Sequence, residues 1–345
     1  MKTKIIKIDI ENIDLNMVNE AASLLKNGEL VAIPTETVYG LAADGLNNEA
    51  CLKIFKAKQR PSDNPLILHI SHTNMLYNLT KEVGNQAKKL FDLWPGPLTM
   101  IFKKSDIIPD AVTCGGNTVA IRMPSDKIAR AIISRANTPL AAPSANLSGK
   151  PSPTNAMDVY ADMNGTIPLI VDGGESDIGI ESTVIDFSEG TPTILRPGYY
   201  TYEYLQTILP NIVLDDSLVD STALPKSPGQ KYKHYAPKAN LRVFIGENVP
   251  AYILKLAEKY KEEGKKVGIL AFEEDKDKFK TYPYISLGLR KDLSTMSHVL
   301  FSSLREMDRL RVDIILAEGV RENHLGKSIM NRMKKAAAND VNYLK

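Results

Sequence analysis

The sequence predicts two α/β domains of unequal size: a mixed α/β domain over residues 1–209 and a smaller parallel α/β domain over residues 240–345. Three observations predict this. Short apolar runs, helical patterns and many Pro- and Gly-containing turns fill residues 1–209. Periodicity is then lost over residues 210–239, a length that marks a functional loop or a linker. After Asn240, strand-like and helix-like segments alternate cleanly, as in a parallel sheet joined by crossover helices.

The elements follow in order. Val18, Ala21, Ala22 and Leu25 recur at helical spacing before the stop Asn27-Gly28, which predicts a helix over 17–26. An apolar strand over 30–33 runs into the Pro34-Thr35 turn. Ala50, Ile54, Phe55 and Ala57 form the buried stripe of a helix over 48–58. A strand over 66–70 precedes a helix over 86–93, closed by Trp94-Pro95-Gly96-Pro97. Strands are expected at 98–102, 118–122, 140–142, 169–172 and 182–187, with helices at 127–136 and 156–163, and the domain closes near 205–209. In the second domain, strands at 241–245, 267–272, near 284–287 and at 313–317 alternate with helices at 250–263, 295–310 and 327–338.

Bulk composition excludes several classes. With 43 Lys and Arg against 41 Asp and Glu, the net charge is +2, too small for a bulk attraction to nucleic acid or membrane. Any anion site must be built locally. Cys51 and Cys114 form neither a disulfide framework nor a zinc knuckle, so a cytosolic protein is expected. The first residues turn polar before an apolar run develops, so no secretory signal is read there. No apolar stretch approaches the roughly 18 residues of a membrane span.

Polar residues gather where strands and helices end. Lys58, Arg60, Ser62 and Asn64 occupy alternate positions, with prolines at 61 and 65. In an extended chain all four would face one way and suit a polyanion such as a nucleotide triphosphate. Neither G-x-x-x-x-G-K-[ST] nor a G-x-G-x-x-G after a strand occurs, so an ATP site needs another cradle. His69 and His72 lack an acid-rich neighbour, and His69 is better suited to line a polar pocket than to bind metal. Thr118, Ala120 and Arg122 share one strand face. Arg122, ending a buried strand, calls for either a ligand anion or an internal carboxylate.

Ser144, Asn146 and Ser148 alternate among small residues after another strand, which lets a ligand approach the backbone. Ser182 follows the glycine-rich stretch around Asp172-Gly173-Gly174 and Gly179, and Arg196 ends the next strand. Hydroxyls and cations at successive strand ends are the layout of a ligand crevice in an open α/β sheet. No Ser-His-Asp or Cys-His set has a credible local context. Positioning and charge neutralisation are left, and phosphoryl or nucleotidyl transfer needs little more.

The motifs Pro34-Thr35-Glu36-Thr37-Val38-Tyr39-Gly40-Leu41, Lys58-x-Arg60-x-Ser62-x-Asn64, Pro143-Ser144-Ala145-Asn146 and Ser182-Thr183 closely resemble the YrdC-type L-threonylcarbamoyladenylate synthases. Ser227-Pro228-Gly229, His234-Tyr235-Ala236-Pro237 and Ile329-Met330-Asn331-Arg332 resemble the long, two-domain YwlC form, and the likeness covers essentially the whole chain. The resemblance implies a YrdC-like open twisted mixed sheet with helices over residues 1–209, a basic-aromatic linker or lid over 210–239, and a small Rossmann-like domain over 240–345. It implies a nucleotidyltransferase: L-threonine, bicarbonate and ATP give threonylcarbamoyl-AMP and pyrophosphate. A separate transferase complex then uses the product to modify adenosine 37 of tRNA.

By motif, Thr35, His69, Arg122 and Ser182 would hold threonine. Lys58, Arg60, Ser62, Asn64, Thr118, Ser144, Asn146, Ser152 and Arg196 would hold ATP, with Tyr232 or Tyr235 closing over it. Lys58 and Arg60 would also serve catalysis by offsetting charge on the phosphates. Mg²⁺ is expected with the triphosphate, although no dense carboxylate cluster marks its ligands. The carboxy-terminal domain carries no dinucleotide fingerprint and is expected to regulate or position the lid.

Two rival readings compete. An RNA- or ribosome-binding module would use the basic run 226–238 and the pocket cations, but the small net charge and the lack of an RNA-binding signature oppose it. Carbamoyl transfer in hydrogenase maturation would bring zinc-binding cysteine pairs, which two cysteines cannot supply.

Overall fold

Apolar runs bounded by turn residues become strands in the structure, a computed structural model that describes residues 2–218 and 234–345. The amino-terminal strands are β1 (Lys4–Lys7), β2 (Val31–Ile33), β3 (Gly40–Asp44), β4 (Ile67–His69), β5 (Leu98–Lys103) and β6 (Thr118–Arg122). They continue with β7 (Leu140–Ala141), β8 (Leu169–Asp172), β9 (Thr183–Asp186), β10 (Thr193–Arg196) and β11 (Val213–Leu214). Among the described residues these form one sheet in the order β1-β8-β2-β3-β7-β4-β6-β5-β9-β10-β11. It is mixed: β4 runs parallel to β6 and β5 to β9, whereas β5 and β6, and β9 and β10, are antiparallel.

Both faces are covered, and the alternation along each strand shows it. Val31, Ile33 and Ala42 pack with the helices Leu15–Lys26 and Lys127–Ala136. Ala32, Leu41 and Ala43 face the other way, against Ala50, Cys51, Ile54 and Phe55 of the helix Asn48–Lys58. A sheet buried on both sides reads as continuous apolar runs; the sequence reading places β2, over 30–33, but not β3.

That last helix corrects one expectation. Lys58 is its final residue, and Gln59 turns left-handed at φ 51°. The chain then bends through residues 62–64. Lys58, Arg60, Ser62 and Asn64 are therefore not one extended array, because two of the intervening backbone conformations break the two-residue period. The single helix expected over 86–93 is likewise split into Asn85–Lys88 and a 3-10 turn, Phe91–Leu93.

The carboxy-terminal strands are β12 (Asn240–Ile245), β13 (Val267–Ala271), β14 (Tyr284–Ser286), β15 (Ile314–Glu318) and β16 (Val341–Tyr343). All pair in parallel, in the order β14-β13-β15-β12-β16. Phe244, Ile253, Ala257, Ile269, Phe279 and Leu316 form the core under the helix Val249–Glu262. The described residues divide into two compact units, and 149–151 and 178–180 group with the carboxy-terminal one. Within that unit Arg305 donates to the Pro151 carbonyl from Nη2 at 2.6 Å, and Ser297 Oγ donates to the Ile178 carbonyl at 3.0 Å. Among the described residues no helix is long and apolar enough to cross a membrane.

Asp126 caps the helix Lys127–Ala136 by accepting from the Ala129 amide at 2.7 Å. Burial pushes its carboxyl up to about 6, with the Ala129 hydrogen bond opposing. The folded state therefore holds more protons than the unfolded one between about pH 4 and pH 6, and this group's contribution to stability falls as pH rises through that window. Asp126→Asn retains a cap acceptor and should flatten that part of the pH dependence, measured as urea midpoints from pH 4 to pH 7. An identical pH dependence in the variant would contradict the assignment.

Candidate active site

Strand register sets five positions in a row across the sheet. His69 on β4 pairs with Arg122 on β6, and Arg122 pairs with Thr99 on β5. Thr99 pairs with Val184 on β9, which pairs with Arg196 on β10. Adjacent strands lie about 4.8 Å apart, so the row runs roughly 19 Å across the sheet. His69, Thr99, Arg122, Ser182 and Arg196 are all buried.

Ser182, just before β9, is fixed from two sides. Its hydroxyl lies 2.7 Å from Thr99 Oγ1 and accepts from Arg196 Nη2 at 3.0 Å, while Arg196 Nε donates to its carbonyl at 3.1 Å. Glu181, the residue before it, accepts from Ser152 Oγ at 2.7 Å. Ser152 thus bonds the residue that directly precedes Ser182.

The turn between β2 and β3 is a chain of hydroxyls. Thr35 Oγ1 donates to the Val38 carbonyl at 2.6 Å, which uses its only proton. Thr37 Oγ1, 3.0 Å away, is then the donor to Thr35 and itself accepts from Arg122 Nη1 at 2.8 Å. Glu36 Oε1 lies 2.8 Å from Arg122 Nη2, and each side chain is only 5% exposed. Of the two partners the sequence left open for Arg122, the internal carboxylate is present.

His69 sits beside this charge. Burial, helped by the Arg122 guanidinium, pushes its imidazole down to about 3, and Nδ1 donates to the Ile67 carbonyl at 3.2 Å. It is a neutral hydrogen-bonding wall rather than a cation.

The other predicted residues collect toward the opposite end of these strands. Thr118 begins β6, about 13 Å along the strand from Arg122, and β4 enters there with Ile67 opposite Ala120. The loop after β7 runs to the same end: Ala142 N donates to the Ile67 carbonyl, and Ser144 bridges Gly40. Lys58 Nζ donates to the carbonyls of Ser144 and Asn146, the latter at 2.7 Å. Ser144 Oγ donates to Asn146 Oδ1 at 2.6 Å. Arg60 Nη2 reaches the carbonyls of Asn64 and Pro65 at 3.0 and 3.3 Å. Asn64 is buried and Ser62 exposed. The two ends share an anchor, since Tyr39 and Leu41, which follow the hydroxyl turn, bond the backbone of Ala145 and Pro143.

Tyr235 belongs to the carboxy-terminal unit, where its ring lies 5.0 Å from that of Phe301. Tyr232 lies outside the described residues, as do Ser227, Pro228 and Gly229. Sequence reasoning missed Glu36, Thr37, Thr99 and Glu181 as members of the site. Glu36 and Glu181 carried a weak signal as acids flanking predicted hydroxyl contacts; Thr99, inside an apolar strand, carried none.

Residues 23–198 match the Sua5, YciO and YrdC family described as "Telomere recombination", and residues 200–338 match "Threonylcarbamoyl-AMP synthase, C-terminal domain". The threonylcarbamoyl-AMP synthase of Pyrococcus abyssi (strain GE5 / Orsay) is 44% identical over 334 residues, covering 95% of this chain and 96% of that protein. That of Bacillus subtilis (strain 168) is 44% identical over 346 residues, covering 99% of each. The crystal structure of P. abyssi Sua5 complexed with L-threonine resembles this chain at TM-score 0.93 and 43% identity, over 99% of this chain and 100% of that one. The structure of E. coli YciO shares the fold, with TM-score 0.52 and 23% identity over 57% of this chain and 96% of that one.

The environment of His69 yields a direct prediction. Ring resonances of His69 should show no titration near the usual pH of about 6.5 and stay those of neutral imidazole from pH 8 down to about 4. A His69 midpoint close to 6.5 in nuclear magnetic resonance spectra would contradict its burial beside Arg122.

Proposed function

Because the chain belongs to the Sua5, YciO and YrdC family and carries the threonylcarbamoyl-AMP synthase carboxy-terminal domain, we infer that it is a threonylcarbamoyl-AMP synthase. It is a nucleotidyltransferase that works on L-threonine. Bicarbonate and ATP are the proposed co-substrates, and pyrophosphate the proposed by-product. The observation that carries the inference is the buried row from His69 to Arg196, set in a chain that matches threonylcarbamoyl-AMP synthases over nearly its whole length.

The proposed chemistry has two steps. Bicarbonate gives carbon dioxide and hydroxide, the neutral amine of threonine adds to the carbon and releases a proton that joins the hydroxide as water, and an oxygen of the resulting carbamate attacks the α-phosphorus of ATP as pyrophosphate leaves. Carbamates decompose in water, so a buried edge suits this step. Thr35, His69, Arg122 and Ser182 are proposed to hold threonine around the Arg122 guanidinium. A neutral His69 fits that role, because it can hydrogen-bond without competing for the carboxylate.

Lys58, Arg60, Ser62, Asn64, Thr118, Ser144, Asn146, Ser152 and Arg196 are proposed to hold the nucleotide, together with Tyr232 or Tyr235. Support comes from Lys58, whose ammonium sits on the carbonyls of Ser144 and Asn146 and so keeps a positive charge within that loop. Lys58 and Arg60 would offset charge developing on the phosphates.

Magnesium is expected to accompany the triphosphate. Among the described residues no group of three or more His, Cys, Asp or Glu side chains is arranged to hold a metal ion. Magnesium at nucleotide sites is held mainly by phosphate oxygens and water with one or two carboxylates, so the triphosphate itself would supply much of its coordination. We further propose that the product passes to a separate transferase acting on adenosine 37 of tRNA, and that the protein works in the cytoplasm.

Pyrophosphate release from ATP should require both L-threonine and bicarbonate. Lys58→Ala should lower that rate by about 10²–10³-fold while circular dichroism shows a folded chain. Release that ignores both co-substrates would overturn the proposed reaction; a folded Lys58→Ala protein with unchanged rate would overturn the role of Lys58.

A further inference from the structure

Glu36 is a buried ionisable group to which the proposed reaction gives no task. It stands in the hydroxyl turn between β2 and β3 and is 6% exposed. Both carboxylate oxygens are shut off from solvent, and neither takes part in a hydrogen bond. Arg122 Nη2 is 2.8 Å from Oε1, an ion pair by distance, yet Nη2 and Nε of Arg122 also make no hydrogen bond. The one guanidinium nitrogen that does so is Nη1, through Thr37.

This is an unusual way to bury two charges. A carboxylate can accept about four hydrogen bonds and a guanidinium can donate five. Buried capacity left unused is costly, and a buried ion pair is weak evidence for stability in its own right. The unused atoms are also arranged in a useful way. Thr37 steadies Arg122 through Nη1, which leaves Nε and Nη2, the two parallel donors that grip a carboxylate bidentately. Beside them stands a carboxylate with acceptors to spare.

An α-amino acid headgroup complements this pair, having one carboxylate that accepts and one ammonium that donates. We propose that Glu36 receives the α-amino group of the amino-acid substrate while Arg122 takes its carboxylate, so the two side chains form a receptor for a zwitterion. This rests on the proposed function, in which L-threonine is the substrate held at Arg122. Glu36 then positions the nitrogen that goes on to become the carbamate nitrogen, and it sets a requirement for an amine that Arg122 alone cannot impose.

The test compares two ligands by isothermal titration calorimetry on the full chain: L-threonine, and the analogue in which a hydroxyl replaces the amino group. The wild-type chain should prefer threonine by at least about tenfold, as a site built for a polar group rejects a ligand lacking it. Glu36→Gln should weaken threonine by about the same factor and leave the analogue within about twofold, erasing the preference. Glu36→Asp keeps the charge but draws it back, so it should weaken threonine more than the analogue; it decides the matter if the Gln variant does not fold.

Equal wild-type affinity for both ligands overturns the proposal, as does a variant that weakens both alike or retains the full preference. If the wild-type chain binds no threonine, the proposed function falls as well. If threonine binds and drives pyrophosphate release but the preference survives Glu36→Gln, only the role of Glu36 falls.

Discussion

Arg122 places a guanidinium on a side chain that is only 5% exposed. Burying such a group demands counter-charge and acceptors nearby, and neighbouring features of the site supply them. Glu36 brings the opposite charge and Thr37 an acceptor, which ties the turn between β2 and β3 to the end of β6. The same charge helps to keep His69 on the neighbouring strand neutral. On the other side Thr99 pairs with Arg122 and holds Ser182, which Arg196 secures from β10. Arg196, a second buried cation, bonds both the hydroxyl and the carbonyl of Ser182.

The two ends of the strands carry different groups. Around Arg122 the groups are buried and include the Glu36 carboxylate as well as the guanidinium. Around Thr118, Ser144 and Lys58 they belong to loops rich in small residues, where backbone carbonyls are gathered by ammonium and guanidinium groups. A triphosphate chain is long and highly charged, and loops with small side chains allow it close to the backbone. The shared backbone of Tyr39 and Leu41 links both ends. On the proposed function, this layout acts by placing reactants and offsetting charge.

Much of this was legible in the sequence because strands buried on both faces announce themselves as apolar runs. The residues that end them, His69, Arg122 and Arg196, stood out as polar groups where apolar runs stop. What the sequence could not display was pairing. The row from His69 to Arg196 joins strands from distant parts of the chain, and nothing local shows that β5 lies between β6 and β9. Local geometry also misled: the left-handed Gln59 and the helical Lys58 break an alternation that looks regular in writing. The short edge strands β1 and β16 carry too few apolar residues to be recognised. Glu36 escaped notice for a different reason, since its meaning depends wholly on the guanidinium 2.8 Å away.

The most direct measurement of the central claim is a crystal structure of the full chain with L-threonine bound. The threonine carboxylate should lie within hydrogen-bond distance of Arg122, with its amino group toward Glu36 and the direct contact between Glu36 and Arg122 altered from 2.8 Å. Threonine found elsewhere, with that contact unchanged, would contradict the account.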